Sequence, residues 1–167
     1  DLNRDFTGGV RILNPYRARG SSWFVGTADA VQQNFPFIKR GKPDAVLILS
    51  GDHVYSMDYE PLIRYHQEKG ADVTVATIHV PLNEASRFGI VDVDSDNRIT
   101  GFLEKPENPP STLANMGIYL FNLDTLNEVL WEDHLELESD HDFGKNILPQ
   151  MVKTNRKIYA YPYDGYW

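Results

Sequence analysis

Val46-Leu47-Ile48-Leu49-Ser50-Gly51-Asp52-His53-Val54-Tyr55 is the stretch whose reading decides the fold. Its apolar run is short enough for one buried strand and stops at a glycine. An acidic residue follows where the strand's carboxyl end would open into solvent. In an open α/β sheet, ligands bind at such strand ends.

Working outward, Asp58 reads as the cap of a helix with Pro61 in its first turn, Leu62, Ile63 and His66 facing inward, and Gly70 ending it. Residues 72–80 are β-branched and alternating, as in a strand. Strand, helix and strand form a βαβ unit, so the opening strand and residues 73–78 are expected to be parallel members of one sheet. Upstream, residues 1–26 read mostly as loop, with Val10-Arg11-Ile12-Leu13 as a short strand. Thr27 is the expected N-cap of a helix carrying Asp29 in its first turn, which Pro36 kinks or ends and Gly41-Lys42-Pro43 closes.

Downstream, residues 88–94 and 98–103 flank Asp96-Asn97 as a hairpin. Lys105-Pro106-Glu107-Asn108-Pro109-Pro110 is incompatible with regular structure and reads as an exposed, semi-rigid loop. Residues 116–121 form another buried strand, Asp124 caps a helix through Trp131, and the acidic residues 132–142 read as solvated. Asp142 caps a last helix with Ile147, Leu148, Met151 and Val152 inward and Pro149 bending it, before the strand Ile158-Tyr159-Ala160-Tyr161.

The 167 residues suffice for one substantial core, and 41% of them are hydrophobic. The 16 basic and 24 acidic residues leave a net charge of −8, which argues against a nucleic-acid footprint built on phosphate attraction. A small anion held by a few local cations remains compatible with that charge. Cysteine is absent, so disulfides and thiolate metal sites are excluded and a divalent ion would need oxygen or imidazole ligands. No apolar stretch has the length of a membrane span, and Asp1-Leu2-Asn3-Arg4-Asp5 does not open a signal peptide, so a cytoplasmic location is expected. The polar start and the aromatic Gly165-Tyr166-Trp167 end suggest a fragment of a longer polypeptide.

Three stretches carry candidate chemistry. Asp52 is suited to holding Mg²⁺ against phosphate oxygens, although Gly51-Asp52 is also an ordinary turn. Lys105, fixed before a rigid proline loop, reads either as a localised phosphate binder or as a surface lysine, and Glu104 as an acceptor for sugar hydroxyls or as its ion-pair partner. Gly26-Thr27 before a helix reads as an anion site or a simple cap. Ser139-Asp140-His141-Asp142 suggests a metal site less well than a solvated loop ending in a cap.

Taken in order, residues 23–30, 49–55, 86–94, 102–106, 116–121, 141–145 and 165–167 resemble the sugar-nucleotide pyrophosphorylases, and within them the glucose-1-phosphate adenylyltransferases. Gly26-Thr27-Ala28-Asp29-Ala30-Val31, Ser50-Gly51-Asp52-His53-Val54-Tyr55, Ala85-Ser86-Arg87-Phe88-Gly89 and His141-Asp142-Phe143-Gly144-Lys145 are jointly specific. The resemblance implies an α/β fold: a three-layer, mostly parallel Rossmann-like sheet of the nucleotide-diphospho-sugar transferase type, incomplete at both ends. It implies a partial catalytic domain over residues 1–167, without the amino-terminal glycine-rich arm or the carboxy-terminal β-helix.

The resemblance further implies that ATP and glucose 1-phosphate give ADP-glucose and pyrophosphate, with Mg²⁺ as cofactor and a homo- or heterotetramer as the intact assembly. Asp52 is then the catalytic, metal-holding aspartate and Lys105 the ligand of the sugar phosphate. Glu104, Gly89, Asn115 and Phe24 line the sugar site, and Arg40 lies where some members bind a regulatory nucleotide. Asn115 stands where serine is usual and Phe24 where tyrosine is usual. Two other readings are a noncatalytic regulatory subunit and a pyrophosphorylase for another nucleotide or sugar 1-phosphate.

Overall fold

A computed structural model describes residues 11–15, 23–51 and 56–165. Its elements are the helices α1 (Thr27–Gln33) and α2 (Phe35–Arg40), strand β1 (Ala45–Leu49), helix α3 (Glu60–Lys69) and strand β2 (Val73–His79). A 3₁₀ turn (Ala85–Arg87) leads into β3 (Gly89–Val93), β4 (Ile99–Glu104), β5 (Leu113–Asn122) and helix α4 (Leu123–His134). A π-helical segment (Phe143–Ile147) runs into α5 (Leu148–Lys153), and β6 (Ile158–Pro162) completes the order.

The prolines explain the helix boundaries. Pro36, Pro61 and Pro149 each lie in the first turn of a helix, where the missing N–H has no partner to lose. Pro36 therefore starts α2 after a break at Asn34, and Pro149 marks the passage from π to α geometry. Gly70 ends α3 in the left-handed conformation with φ of 59°, as the sequence suggests. Three cap readings need correction. Gly26 is the N-cap of α1, Tyr59 that of α3 and Asn122 that of α4, while Thr27 and Asp124 lie inside their helices. Asp58 still accepts the Glu60 amide at 3.0 Å, and Asp142 accepts that of Lys145 at 2.9 Å.

Among the described residues the sheet has six strands in the order β4-β3-β5-β2-β6, with β1 also on β5. β1 and β2 run parallel to each other, as the βαβ reading requires, but β5 lies between them and opposes both. The expected α/β sheet is present, with β1, β2, β3 and β6 sharing one direction, and among the described residues β2–β6 is the one parallel pairing. A returning antiparallel strand inserted among same-direction strands converts their contacts to antiparallel ones.

Two cores cover the sheet's two faces, which gives three layers. On one face Val73, Val75 and Phe121 pack with α1, α4 and α5 residues such as Ala28, Leu126 and Leu148. On the other, Ala76, Met116, Ile118 and Leu120 pack around Leu62 of α3. β1, β2, β5 and β6 thus alternate their side chains between the two cores. His66 fixes α3 to the sheet from within: its Nδ1 lies 2.7 Å from Thr74 Oγ1 and its Nε2 2.7 Å from Asn122 Oδ1. Because Asn122 Nδ2 donates to the Ala71 carbonyl, Oδ1 is the acceptor and the proton resides on Nε2.

Other expectations shift. Ile63 is 41% exposed, because the inward stripe of α3 falls on Leu62 and His66. β1 is half-buried and Leu49 exposed, since β5 pairs with one edge and no described strand covers the other. Residues 11–13 form no strand, and Val10 lies outside the described residues. α4 continues past Trp131 to His134. No helix among the described residues is long and apolar enough to cross a membrane.

Candidate active site

Strand β5 organises the site. One of its edges carries β3 and then β1 end to end: Ile90 pairs with Ala114, and Leu49 with Ile118. Between these pairings the ladder is interrupted, and the Ser50 amide donating to the Gly117 carbonyl at 3.1 Å is what spans the gap. The register to β2 slips over the same stretch. Gly117 has φ of 71°, and a Cβ there would stand 3.2 Å from that of Ser50, so both backbone conformation and space call for glycine.

Asn115 holds this bulge. Its Oδ1 accepts the Gly117 amide at 2.9 Å, and its Nδ2 donates to Tyr119 Oη at 2.8 Å. The interruption opens a cavity of about 380 Å³ at the carboxyl end of β1, a gap of the kind where open α/β sheets bind ligands. Ile48, Leu49 and Ser50 form one wall, Asn115, Met116, Gly117 and Tyr119 another. The hairpin edge contributes Arg87, Phe88, Gly89, Glu104 and Lys105, and Thr27, Asp142, Phe143 and Gly144 complete the lining.

Residues adjacent on a strand point to opposite faces, yet Glu104 and Lys105 both line this cavity. The backbone of Lys105 provides the reason. It turns into the left-handed region with φ of 46° directly before Pro106, while its amide still closes the hairpin onto the Phe88 carbonyl at 3.1 Å. Both the side chain and the following proline disfavour that conformation, so it stores strain at a residue facing the cavity.

Glu104 sits between two glycines. A Cβ on Gly89 would meet its Oε2 at 3.0 Å and one on Gly144 at 3.3 Å. Its carboxylate forms no hydrogen bond with another described residue. Burial pushes its carboxyl above the ordinary glutamate range and the Asp142 charge adds to the shift, against the opposing pull of Lys105 and Lys145. Asp142 is itself committed, accepting from Thr27 Oγ1 at 3.1 Å and from the Lys145 amide.

The fourth wall is tied back to α1. The Phe143 amide donates to Thr27 Oγ1 at 3.2 Å and the Ala28 amide to the His141 carbonyl at 2.7 Å. These bonds consume the Thr27 hydroxyl and a first-turn amide, so this helix terminus acts as a joint instead of an anion site. Behind it, Asp133 accepts from Ser139 Oγ and pairs with His141 Nδ1 at 2.6 Å, with little exposure of either partner. Ser139, His141 and Asp142 are therefore tied to the rest of the fold while residues 135–138 are exposed, and no group of three His, Asp or Glu able to hold a metal occurs among the described residues.

Four predicted residues, Gly89, Glu104, Lys105 and Asn115, thus meet in one cavity. Phe24 does not line it and instead meets Trp23 edge-on at 6.0 Å. Arg40 is exposed at the end of α2, away from the cavity. Asp52 lies outside the described residues, one position beyond Gly51. Arg87 and Tyr119 are legible in the sequence only as members of the ordered motifs, with no role attached, whereas Thr27 and Asp142 read there as helix caps. A larger cavity of about 490 Å³ lies between α4 and α5, and Glu132, Asp133, Glu136 and Glu138 outweigh Lys145 and Lys153 in its lining, which disfavours an anion there.

The sequence model of a family described as Nucleotidyl transferase matches residues 3–167. A glucose-1-phosphate adenylyltransferase of Clostridium perfringens (strain 13 / Type A) is 52% identical over 100% of this chain and 42% of its own length. Proteins of the same name from Fervidobacterium nodosum and Halalkalibacterium halodurans are 52% and 50% identical over 100% of this chain, and over 40% and 44% of their own lengths. The chain spans about two-fifths of the length of these curated relatives.

Proposed function

Because the chain belongs to the nucleotidyl transferase family, we propose that the intact protein transfers the adenylyl group of ATP to glucose 1-phosphate, forming ADP-glucose and releasing pyrophosphate. Residues 1–167 would be the central part of its catalytic domain. The observation that carries this reading is the convergence of Gly89, Glu104, Lys105 and Asn115 on one cavity, beside the strand end that leads into Asp52. The names of the similar proteins support the choice of substrates.

A phosphate oxygen of the sugar attacks the α-phosphorus of the nucleotide in line, and the bond to the departing pyrophosphate breaks. No protein nucleophile is needed, so catalysis rests on positioning and charge neutralisation. Lys105 holds the sugar phosphate as a point charge, and its strained backbone keeps the ammonium on the same side as Glu104. Glu104 accepts from sugar hydroxyls, with room left by Gly89 and Gly144. Asn115, with both ends of its amide engaged, acts by fixing Tyr119 and the bulge.

The donor chemistry suits Mg²⁺: the chain offers oxygen ligands and no thiolate, and this ion commonly needs one or two carboxylates beside substrate phosphates. Asp52 would hold it, and when bound it would neutralise phosphate charge.

Pyrophosphate release by the intact protein, measured with ATP, UTP or dTTP and glucose 1-phosphate, tests the reading. ATP-dependent turnover abolished by Asp52→Asn is the expected result. Unchanged turnover in that variant would remove Asp52 from the mechanism, and preference for another nucleotide would reassign the substrate.

A further inference from the structure

The motif Ala85-Ser86-Arg87-Phe88-Gly89 has contributed only its glycine to the chemistry above. Arg87 ends the 3₁₀ turn whose backbone is well held: its amide donates to the Glu84 carbonyl at 2.9 Å and that of Phe88 to Ala85 at 3.2 Å. Fully buried Ala85 anchors the turn against Ile90 and Ala114. From this fixed base Arg87 lines the same cavity as Lys105. The two cations spring from neighbouring positions, since the Lys105 amide bonds to the carbonyl of Phe88, the residue after Arg87. Arg87 makes no ion pair with another described residue.

Charge balance gives this placement its meaning. Glu104 and Asp142 bring two carboxylates to the described lining. Lys145 acts on Glu104 from outside this lining but is paired with Asp140, so with Lys105 as the lining's lone cation a doubly charged phosphate would enter a wall of net negative charge. Arg87 removes that deficit, and a planar guanidinium suits the tetrahedral oxygens of a phosphate through paired hydrogen bonds.

We propose that Arg87 is a second cationic ligand of the substrate's phosphate monoester, which is gripped between its guanidinium and the Lys105 ammonium. This rests on the sugar 1-phosphate reading above. Its consequence is specificity: two cations favour a dianionic phosphate over a free sugar or a monoanion.

The test measures initial rates of the intact protein with glucose 1-phosphate and ATP varied in turn, for wild type, Arg87→Ala and Arg87→Lys. Loss of one charge-assisted contact is expected to raise KM for glucose 1-phosphate about tenfold in Arg87→Ala. KM for ATP should hold within about twofold, and Arg87→Lys should recover part of the loss. Equal rises in both KM values, a fall in kcat alone, or no change in an active enzyme would overturn the assignment while leaving the adenylyl-transfer reading intact. A wild-type protein that makes no ADP-glucose would overturn both. Circular dichroism melts of the variants separate unfolding from lost contact, and Arg87→Lys keeps the charge if the alanine variant fails to fold.

Discussion

Gly26 lies so close to His141 that a Cβ built on it would stand 2.8 Å from the His141 carbonyl carbon, and closer still to the carbonyl oxygens of Asp140 and His141. Its φ of −166° is ordinary extended backbone, so space and not conformation requires the glycine. Two motifs 115 residues apart, one at Thr27 and one at Asp142, meet here through the Thr27 hydroxyl and the Ala28 amide. The contact sets the position of the wall that carries Asp142, Phe143 and Gly144 into the cavity.

Gly26→Ala must therefore push two chain segments apart. Overpacking of this kind costs about 1–3 kcal/mol, and in a domain of this size each kcal/mol lowers Tm by roughly 2–4 °C. The variant is expected to melt several degrees lower and to bind glucose 1-phosphate more weakly. Thermal unfolding and a substrate titration check both, and a Tm equal to wild type would mean that the backbone yields freely.

The same contact shows what was legible in the sequence. Gly26-Thr27 reads as a cap and Ser139-Asp140-His141-Asp142 as a solvated loop, each sensible from local chemistry alone. Their mutual docking is a long-range event, and local pattern has no term for it. Elements with strong punctuation, such as α3 with Pro61 and Gly70 or the hairpin at Asn97, were readable because turn and cap chemistry act within a few residues. β5 was found as a strand, but its position between β1 and β2 and the slip at Gly117 depend on pairing partners. The left-handed backbone at Lys105 contradicts the local preference of a residue before proline, so its fixed position was readable and its geometry was not.

Glu104 makes a pH-dependent prediction. Its carboxyl, raised by burial and then by Asp142, holds its proton to higher pH in the folded chain than in the unfolded one. The folded state thus binds more protons between the ordinary glutamate value and the raised one, and stability falls as pH rises through that window. Glu104→Gln should be more stable than wild type above the window and should lose that advantage below it, while its KM for glucose 1-phosphate rises. Urea unfolding across the acid range is the check; a less stable glutamine variant at neutral pH would mean that the carboxylate is stabilising the apo fold.

Asn115 allows stability and binding to be separated. Asn115→Ala leaves the Gly117 amide and the Tyr119 hydroxyl without their partner and is expected to cost about 1–3 kcal/mol. Asn115→Asp can accept from both groups, so it should cost less stability. Its added negative charge beside Glu104 should nevertheless weaken binding of the sugar phosphate more than it weakens ATP. Chemical denaturation together with the two KM values tests this ordering, which fails if the aspartate variant is the less stable of the pair.

Lys105 sets strain against function at a single residue. A left-handed backbone costs a side-chain-bearing residue about 1–2 kcal/mol, and glycine avoids that cost while losing some of the gain to its freer unfolded chain. Lys105→Gly is therefore expected to stabilise the protein by about 0.5–1 kcal/mol. It should also raise KM for glucose 1-phosphate far more than KM for ATP, because it removes the ammonium from the sugar phosphate. Lys105→Ala, which removes the same charge but keeps a Cβ at φ of 46°, should show the same kinetic defect without the gain in stability. Matching melts for the two variants would show that the backbone is not strained there, and equal effects on both substrates would remove Lys105 from the sugar-phosphate site. If both differences appear, the strain and the binding belong to one design: the chain tolerates an unfavourable φ because that φ turns the ammonium toward Glu104's side of the cavity.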